Sequence, residues 1–307
     1  MTSAVELAGV TKRYGNIVAV DGLSLRVPEG SLFGLIGPNG AGKTTTFGLL
    51  CGYLRPDSGQ VIVRGEAVAP GAPRVGKVVA LPQDAELPRR MKIIDVLVML
   101  GRLGGLDTAQ AWTRSRAALS RVGLDGLEDR KVEALSHGQR RRVGIAQTLL
   151  GDREVILLDE PTSGLDPRAA AELRELVVSL RGPRTIVLSS HNLAEVEAIC
   201  DHAAIIDRGK LVESSTMDEL KREGGLVSIS VSGPVPEEAL VSIRALPGVR
   251  SASAERERLA LALEASGGEV GSLTNSVLRI LMDHGVVIGG VTRGQSLESR
   301  FLDETKG

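Results

Sequence analysis

Residues Gly37-Pro38-Asn39-Gly40-Ala41-Gly42-Lys43-Thr44 fit the pattern GxxxxGK[ST], and no other feature of this sequence restricts the fold so tightly. The octapeptide follows the apolar run Leu32-Phe33-Gly34-Leu35-Ile36 and opens a segment of helical character from about Lys43 to Cys51. Buried strand, glycine-rich turn and helix, in that order, are the context in which the pattern cradles phosphate. At average residue frequencies a match arises by chance roughly once in tens of thousands of positions. The glycines let the backbone curl so that its N–H groups point inward, and the helix N-terminus adds a positive field. Lys43 supplies a point charge for β- and γ-phosphates, and the Thr44 hydroxyl can ligate Mg²⁺. Thr45 continues the loop into the helix. The expected ligands are ATP and Mg²⁺.

The rest of the chain reads as an α/β protein. Ile17 to Val27 alternates roughly as a half-buried strand, and Val61 to Val63 and Val78 to Leu81 read as further strands. Met91 to Val122 reads as helical, broken near Gly104-Gly105. Ser136 to Leu150 is again helical, so residues of about 84–150 form an inserted helical subdomain. Val155-Ile156-Leu157-Leu158 is an apolar strand. Pro167 opens a helix that runs to Leu180. Thr185 to Leu188 is a strand, and Asn192 is placed to cap a helix running to Cys200. This alternation predicts a parallel sheet covered by helices.

Composition shifts at Gly224-Gly225, which divides the chain into residues 1–223 and 224–307. The second part reads as strand 226–232, helix 236–245, strand 249–254, strand 258–264, helix 270–284 and strand 286–293. The order βαββαβ is the split-βαβ pattern of ferredoxin-like α+β domains. With 307 residues, 42% of them hydrophobic, the chain has enough apolar surface for both cores.

Charge and composition exclude several classes. Lys+Arg total 37 against Asp+Glu 38, a net charge of -1, which argues against a surface that grips nucleic acid. Aromatic residues are 2%, too few for single-strand stacking platforms. Cys51 and Cys200 are the only cysteines and form neither a disulfide framework nor a zinc pattern. Met1 to Gly15 lacks the pattern of a signal peptide, and no stretch reaches the ~18 apolar residues of a membrane span. The expectation is a soluble protein of the cytoplasm.

Leu157-Leu158-Asp159-Glu160 ends its strand in two carboxylates. Asp159 is placed to hold Mg²⁺, mostly through water, and Glu160 to polarise an attacking water as a general base. Leu135-Ser136-His137-Gly138-Gln139 lies upstream of this pair. Ser163-Gly164-Leu165-Asp166 and Ser190-His191 lie downstream, and Gln83 follows the strand ending at Leu81. In this order, over about residues 4–222, the set resembles the ATPase subunits of ABC transporters.

That resemblance implies a P-loop NTPase fold and a set of roles. Two chains sandwich two ATP molecules head to tail, so Ser136, Gly138 and Gln139 act on the nucleotide held by a partner. Gln83 senses Mg²⁺ and the water and links the site to a membrane permease. Asp166 makes contacts across the dimer, His191 contacts the γ-phosphate, and Tyr14 stacks on adenine. Two partners are implied, an integral membrane permease and a second ATPase subunit. The expected place is then the cytoplasmic face of the cell membrane. The usual signature is LSGGQ, and here His137 replaces the first glycine. A helix N-terminus tolerates that side chain if φ is negative, and Gly138 is intact. The run Arg140-Arg141-Arg142 reads as a solvated face.

Ser296-Leu297-Glu298-Ser299-Arg300-Phe301 is similar to the "SLE..F" tail of the drug- and polymer-exporting (ABC-2-type) branch. A non-transport ATPase of the same fold is the alternative. Its repair members carry coiled coils or zinc modules, and its ribosomal members carry two cassettes in one chain. This chain shows neither insertion and has a single P-loop. A degenerate binding module is disfavoured by the presence of Lys43, Glu160 and His191.

Overall fold

The computed structural model describes residues 2–68, 77–182, 184–222, 225–255, 257–263 and 268–293. The chain divides into two compact units, Met1–Ser214 and Ser215–Gly307. Composition shifts at the glycine pair, whereas contacts thin out one short helix earlier.

In chain order the first unit opens with β1 (Ser3–Tyr14), β2 (Ile17–Pro28), β3 (Leu32–Ile36), α1 (Lys43–Leu50), β4 (Ser58–Val63), β5 (Glu66–Ala67) and β6 (Val78–Leu81). Next come α2 (Ile93–Leu103), α3 (Thr108–Arg121), a short 3₁₀ turn at Val132–Ala134 and α4 (His137–Thr148). It ends with β7 (Val155–Asp159), α5 (Pro167–Ser179), β8 (Thr185–Ser190), α6 (Leu193–Ile199), β9 (His202–Asp207) and β10 (Lys210–Thr216). Two sheets result. One runs β10-β9-β3-β8-β7-β6, with β9, β3, β8, β7 and β6 parallel to one another. The other runs β2-β1-β4-β5 and is antiparallel.

The parallel sheet is the one that the sequence predicts. The antiparallel sheet, with β1 and β5, and the strands β9 and β10 are additions. β1 is hard to read because its pairing with β2 slips between Leu7 and Val10 and again beyond Lys12, which breaks the two-residue alternation. Between the sheets lies one apolar cluster, including Val5, Leu7, Leu23, Leu25, Phe33, Leu35, Phe47, Leu49, Val61, Leu157 and Val187. β3 and β7 are buried along their whole length, as strands covered on both faces must be.

Gly34 shows how tightly the central strand is packed. A Cβ added there would lie 2.2 Å from Val196 Cγ1 on α6 and 3.3 Å from Cys200 Sγ. Gly34→Ala is therefore expected to push α6 off β3 and to cost about 1–3 kcal/mol in urea unfolding. Val196→Ala in the same chain should recover part of that loss. An unchanged unfolding midpoint for the single variant would contradict the packing described.

The second unit contains α7 (Met217–Arg222), β11 (Gly225–Ser232), α8 (Glu237–Arg244), β12 (Val249–Glu255), β13 (Arg258–Leu263), α9 (Gly268–Asp283) and β14 (Val287–Arg293). Its sheet runs β12-β13-β11-β14, with all three pairings antiparallel, which is the ferredoxin-like order. Val227, Ile229, Leu259, Leu261 and Leu263 face a core closed by Leu240, Ile243, Val277 and Leu281 of the two helices. The residues between them, among them Ser230, Ser253, Arg258 and Ala260, are exposed on the other face. His284 donates from Nδ1 to Ile280 O at 2.8 Å, a local bond at the end of α9. The tail Ser296–Phe301 lies outside the described residues.

Candidate nucleotide site

The loop between β3 and α1 is held against two neighbouring segments. Gly42 has φ 104°, and a Cβ there would lie 2.4 Å from Ala19 O, so only glycine fits. Gly37 packs as closely, with its would-be Cβ 2.4 Å from Ile206 O on β9. A cleft of about 410 Å³ opens on this loop, lined by Pro38, Asn39, Gly40, Gly42, Lys43, Thr44 and Thr45. Tyr14, Ala19, Gln83 and Glu160 complete the lining. Ala41 is buried behind the loop. The N-terminus of α1 lies on this loop, and so do its orphan N–H groups.

Lys43 is 6% exposed and donates from Nζ to Gly37 O at 2.8 Å and to Pro38 O at 3.2 Å. Nζ also lies 3.3 Å from Glu160 Oε1. Thr44 Oγ1 donates to Asp159 Oδ2 at 2.9 Å. Ser189 Oγ at the end of β8 donates to Asp159 Oδ1 at 2.5 Å and accepts the Glu160 N–H at 2.9 Å. His191 Nδ1 donates to Glu160 Oε2 at 2.7 Å. Asp159 and Glu160 are 3% and 5% exposed, so both carboxylates are buried and compensated by named partners. Glu160 Oε1 accepts no hydrogen bond and borders the cleft beside Lys43.

Glu160 has φ 46°, the left-handed region that a non-glycine residue occupies at a cost of roughly 1–2 kcal/mol. That turn carries the carboxylate from the strand end toward Lys43 and His191.

The residues fit Mg²⁺. A hydroxyl and a carboxylate oxygen converge at Thr44 and Asp159, the hard oxygen donors that this ion takes together with water and substrate phosphates. Among the described residues no three His, Cys, Asp or Glu side chains gather as a dedicated metal cage, which is a different kind of site. Tyr14 is 46% exposed at the end of β1, lines the cleft, and has Lys12 Nζ 5.6 Å from its ring centroid.

Ser136, Gly138 and Gln139 are not in this cleft. Ser136 caps α4, accepting the Gln139 N–H at 3.2 Å, while Gln139 Oε1 accepts the Ser136 N–H at 3.0 Å. The three residues line a separate cleft of about 310 Å³ with Gly164, Leu165, Asp166 and Ala169. His137 opens α4 without a positive φ, and its Nδ1 donates to Gly164 O at 3.1 Å. Asp166 caps α5 by accepting the Ala169 N–H at 2.9 Å.

Two sequence readings are corrected. The run 140–142 is not a solvated face. Arg141 is 8% exposed, Arg140 donates to Leu135 O, and Arg142 donates to Val122 O and Glu172. Asn192 stands at the N-cap of α6, but its side chain makes no capping bond. Its N–H donates to Ser190 Oγ at 2.9 Å, a local turn bond that fixes the entry to the helix. Sequence reading also missed Ser189 and Glu195. Glu195 accepts from Thr162, Ser190 and Arg174 and ties α6 to the loop after Glu160.

Residues 20–163 match the ABC transporter family. The chain is 38% identical over 236 residues to the Nod factor export ATP-binding protein I of Cupriavidus metallidurans, covering 76% of this chain and 78% of that one. It is 31% identical over 307 residues to the linearmycin resistance ATP-binding protein LnrL of Bacillus subtilis, covering 98% of both. Among solved structures, the ADP conformation of an ATP-binding cassette of an ABC transporter superposes with a TM-score of 0.65 at 23% identity. That superposition covers 72% of this chain and 95% of the other and shows the likeness in fold.

Proposed function

We propose, from the premise that this chain belongs to the ABC transporter ATP-binding family, that it is the ATPase subunit of an exporter and works as a head-to-tail pair on a separate membrane permease. The family hydrolyses ATP, and its members work with permease subunits. The exporter assignment is supported by the relatives, whose names refer to Nod factor export and linearmycin resistance. No helix among the described residues is long and apolar enough to cross a membrane.

One observation carries the catalytic reading: Glu160, buried in a left-handed turn, lies between Lys43 and His191 with one oxygen free of hydrogen bonds. Lys43 binds the β- and γ-phosphates, and the N–H groups of 39–45 surround them. Glu160 orients and deprotonates the attacking water. His191 holds the Glu160 carboxylate and faces the γ-phosphate, and Tyr14 stacks on the base. Thr44 and Asp159 would hold Mg²⁺, and Gln83, which lines the same cleft, would reach toward it. When bound, that ion neutralises phosphate charge and polarises the phosphoryl group. Ser189 fixes Asp159 in the orientation this requires.

The pairing is supported by the separation of the two clefts. No residue of 136–139 lines the P-loop cleft, which supports a reading in which these residues serve the nucleotide held by a second chain. Residues 224–307 stabilise or regulate assembly, and the chemistry stays with residues 1–223.

Two measurements test this. A tagged chain extracted from its host membranes in mild detergent should retain a multi-span membrane protein in stoichiometric amount. Retention of ribosomes or DNA in its place would support a non-transport ATPase. A chain ending at Gly224 should bind ATP with a Kd within about threefold of the full chain, roughly 0.6 kcal/mol, while its dimer yield or permease retention falls. Loss of ATP binding in a truncated chain that keeps its circular dichroism would contradict the division of labour.

A further inference from the structure

Arg141 lies within α4, about 1.4 turns from Ser136, and its guanidinium is buried. Nε donates to Pro161 O at 2.8 Å. Nη2 donates to Glu160 O at 2.6 Å and to Asp159 O at 3.4 Å. Nη1 donates to Gln83 O at 2.7 Å. All four acceptors are backbone carbonyls, and they belong to two separate segments, the end of β7 and the loop after β6. Among the described residues no carboxylate forms an ion pair with Arg141. Burial pushes its pKa down, opposed by the more distant charges of Asp159, Asp84 and Glu160.

A buried cation without a contacting anion is costly, so its geometry needs a reason. The left-handed turn at Glu160 supplies one. Its peptide groups are pinned on both sides, the N–H by Ser189 Oγ at 2.9 Å and the C=O by Arg141 at 2.6 Å. Because φ at Glu160 is 46°, the direction of its side chain depends on those two bonds. Only a planar fork with several donors reaches the carbonyls of residues 83, 160 and 161 together, and a lysine ammonium on its flexible stem does not. Ser189 is anchored in a central strand. Arg141 is anchored in the helix whose first residues are the signature.

We infer that Arg141 is a positioning residue that fixes the Glu160 carboxylate and the Gln83 segment to the signature helix, so that α4 sets the alignment of the base. The inference rests on the reading of Glu160 as general base and adds the element that holds it. Movement of α4, about 7.5 Å of helix from Ser136 to Arg141, would reach the base through a few direct bonds. A second copy that engages 136–139 would then act on Glu160 in the chain that it touches.

The test is a double-mutant cycle read by ATP hydrolysis and ATP binding. Arg141→Met should lower kcat by about 30- to 100-fold, at or just below the lower end of the roughly 10²–10⁴ that a general base supplies because the base is misplaced and not removed, and leave the Kd for ATP within about threefold. Arg141→Lys should recover less than about a tenth of the lost rate, because one point donor cannot span both segments. In single-turnover assays with Glu160→Gln, adding Arg141→Met should lower the residual rate by no more than about twofold, since the base that it positions is already gone. If Arg141→Met does not fold, Arg141→Gln takes its place, with two donors in a shorter side chain. An equal fold-loss in both backgrounds, a raised Kd with unchanged kcat, or full rescue by lysine would overturn the inference. Wild-type turnover in Glu160→Gln alone would instead overturn the reading of the base.

Discussion

Lys43→Ala is expected to weaken ATP binding by about 100-fold and to remove steady hydrolysis. Nζ is the charged donor at the mouth of the phosphate cradle, 6% exposed and held by two loop carbonyls. A charge-assisted bond of this kind contributes about 1.5–3 kcal/mol, and each 1.4 kcal/mol is tenfold in affinity. The substitution also leaves Glu160 Oε1 buried without the cation 3.3 Å away, which adds an electrostatic cost on the enzyme's side. Titration with ATP and release of phosphate measure the two effects. Near-wild-type turnover would remove the P-loop assignment.

Glu160→Gln should separate binding from chemistry. The amide has the shape of the carboxylate, and its oxygen can still accept from His191 Nδ1, which lies 2.7 Å from Oε2. The loop N–H groups and the bonds from Lys43 to Gly37 O and Pro38 O do not involve it, and only the ion pair with Lys43 Nζ at 3.3 Å is weakened, so ATP affinity should stay within about threefold, or roughly 0.6 kcal/mol. An amide cannot take a proton from water, and general-base catalysis is worth about 10²–10⁴ in rate. We expect kcat to fall by about a thousandfold, within that range, as seen in single-turnover phosphate release.

Sequence and structure agree where the chemistry is local. The strand Leu32–Ile36, the glycine loop and the helix at Lys43 are contiguous, and each is specified by its own neighbours. The acidic pair is legible for the same reason, because it ends the apolar run Val155–Leu158. In the second unit, Val227, Ile229 and Val231 alternate cleanly, as do Leu259, Leu261 and Leu263, so the βαββαβ order can be read directly.

What escaped depends on distant parts of the chain. Ser189 matters because β8 is the parallel neighbour of β7, pairing Ser189 with Asp159, and no local pattern states that register. Arg141 sits in a run of three arginines, the usual mark of a wet surface. One signal was available: Arg141, Ile145 and Thr148 recur at helical spacing, and all three are buried. His137 meets Gly164 across 27 residues, a contact that only the packing of α4 beside the loop before α5 produces. β1 was obscured by its register shifts and by the polar end Thr11-Lys12-Arg13-Tyr14.

A working site is expected to need the P-loop of one chain and the signature of another. The most direct test is the molar mass of the Glu160→Gln chain by light scattering, with Mg²⁺ alone and then with saturating ATP and Mg²⁺. The expected result is a monomer that becomes a dimer only with ATP, because hydrolysis no longer reopens the pair. A third run with Gly138→Asp added, which puts a carboxylate where the signature meets phosphate, should return the monomer. A Glu160→Gln chain that binds ATP and stays monomeric, alone and with its permease in detergent, would contradict the shared site.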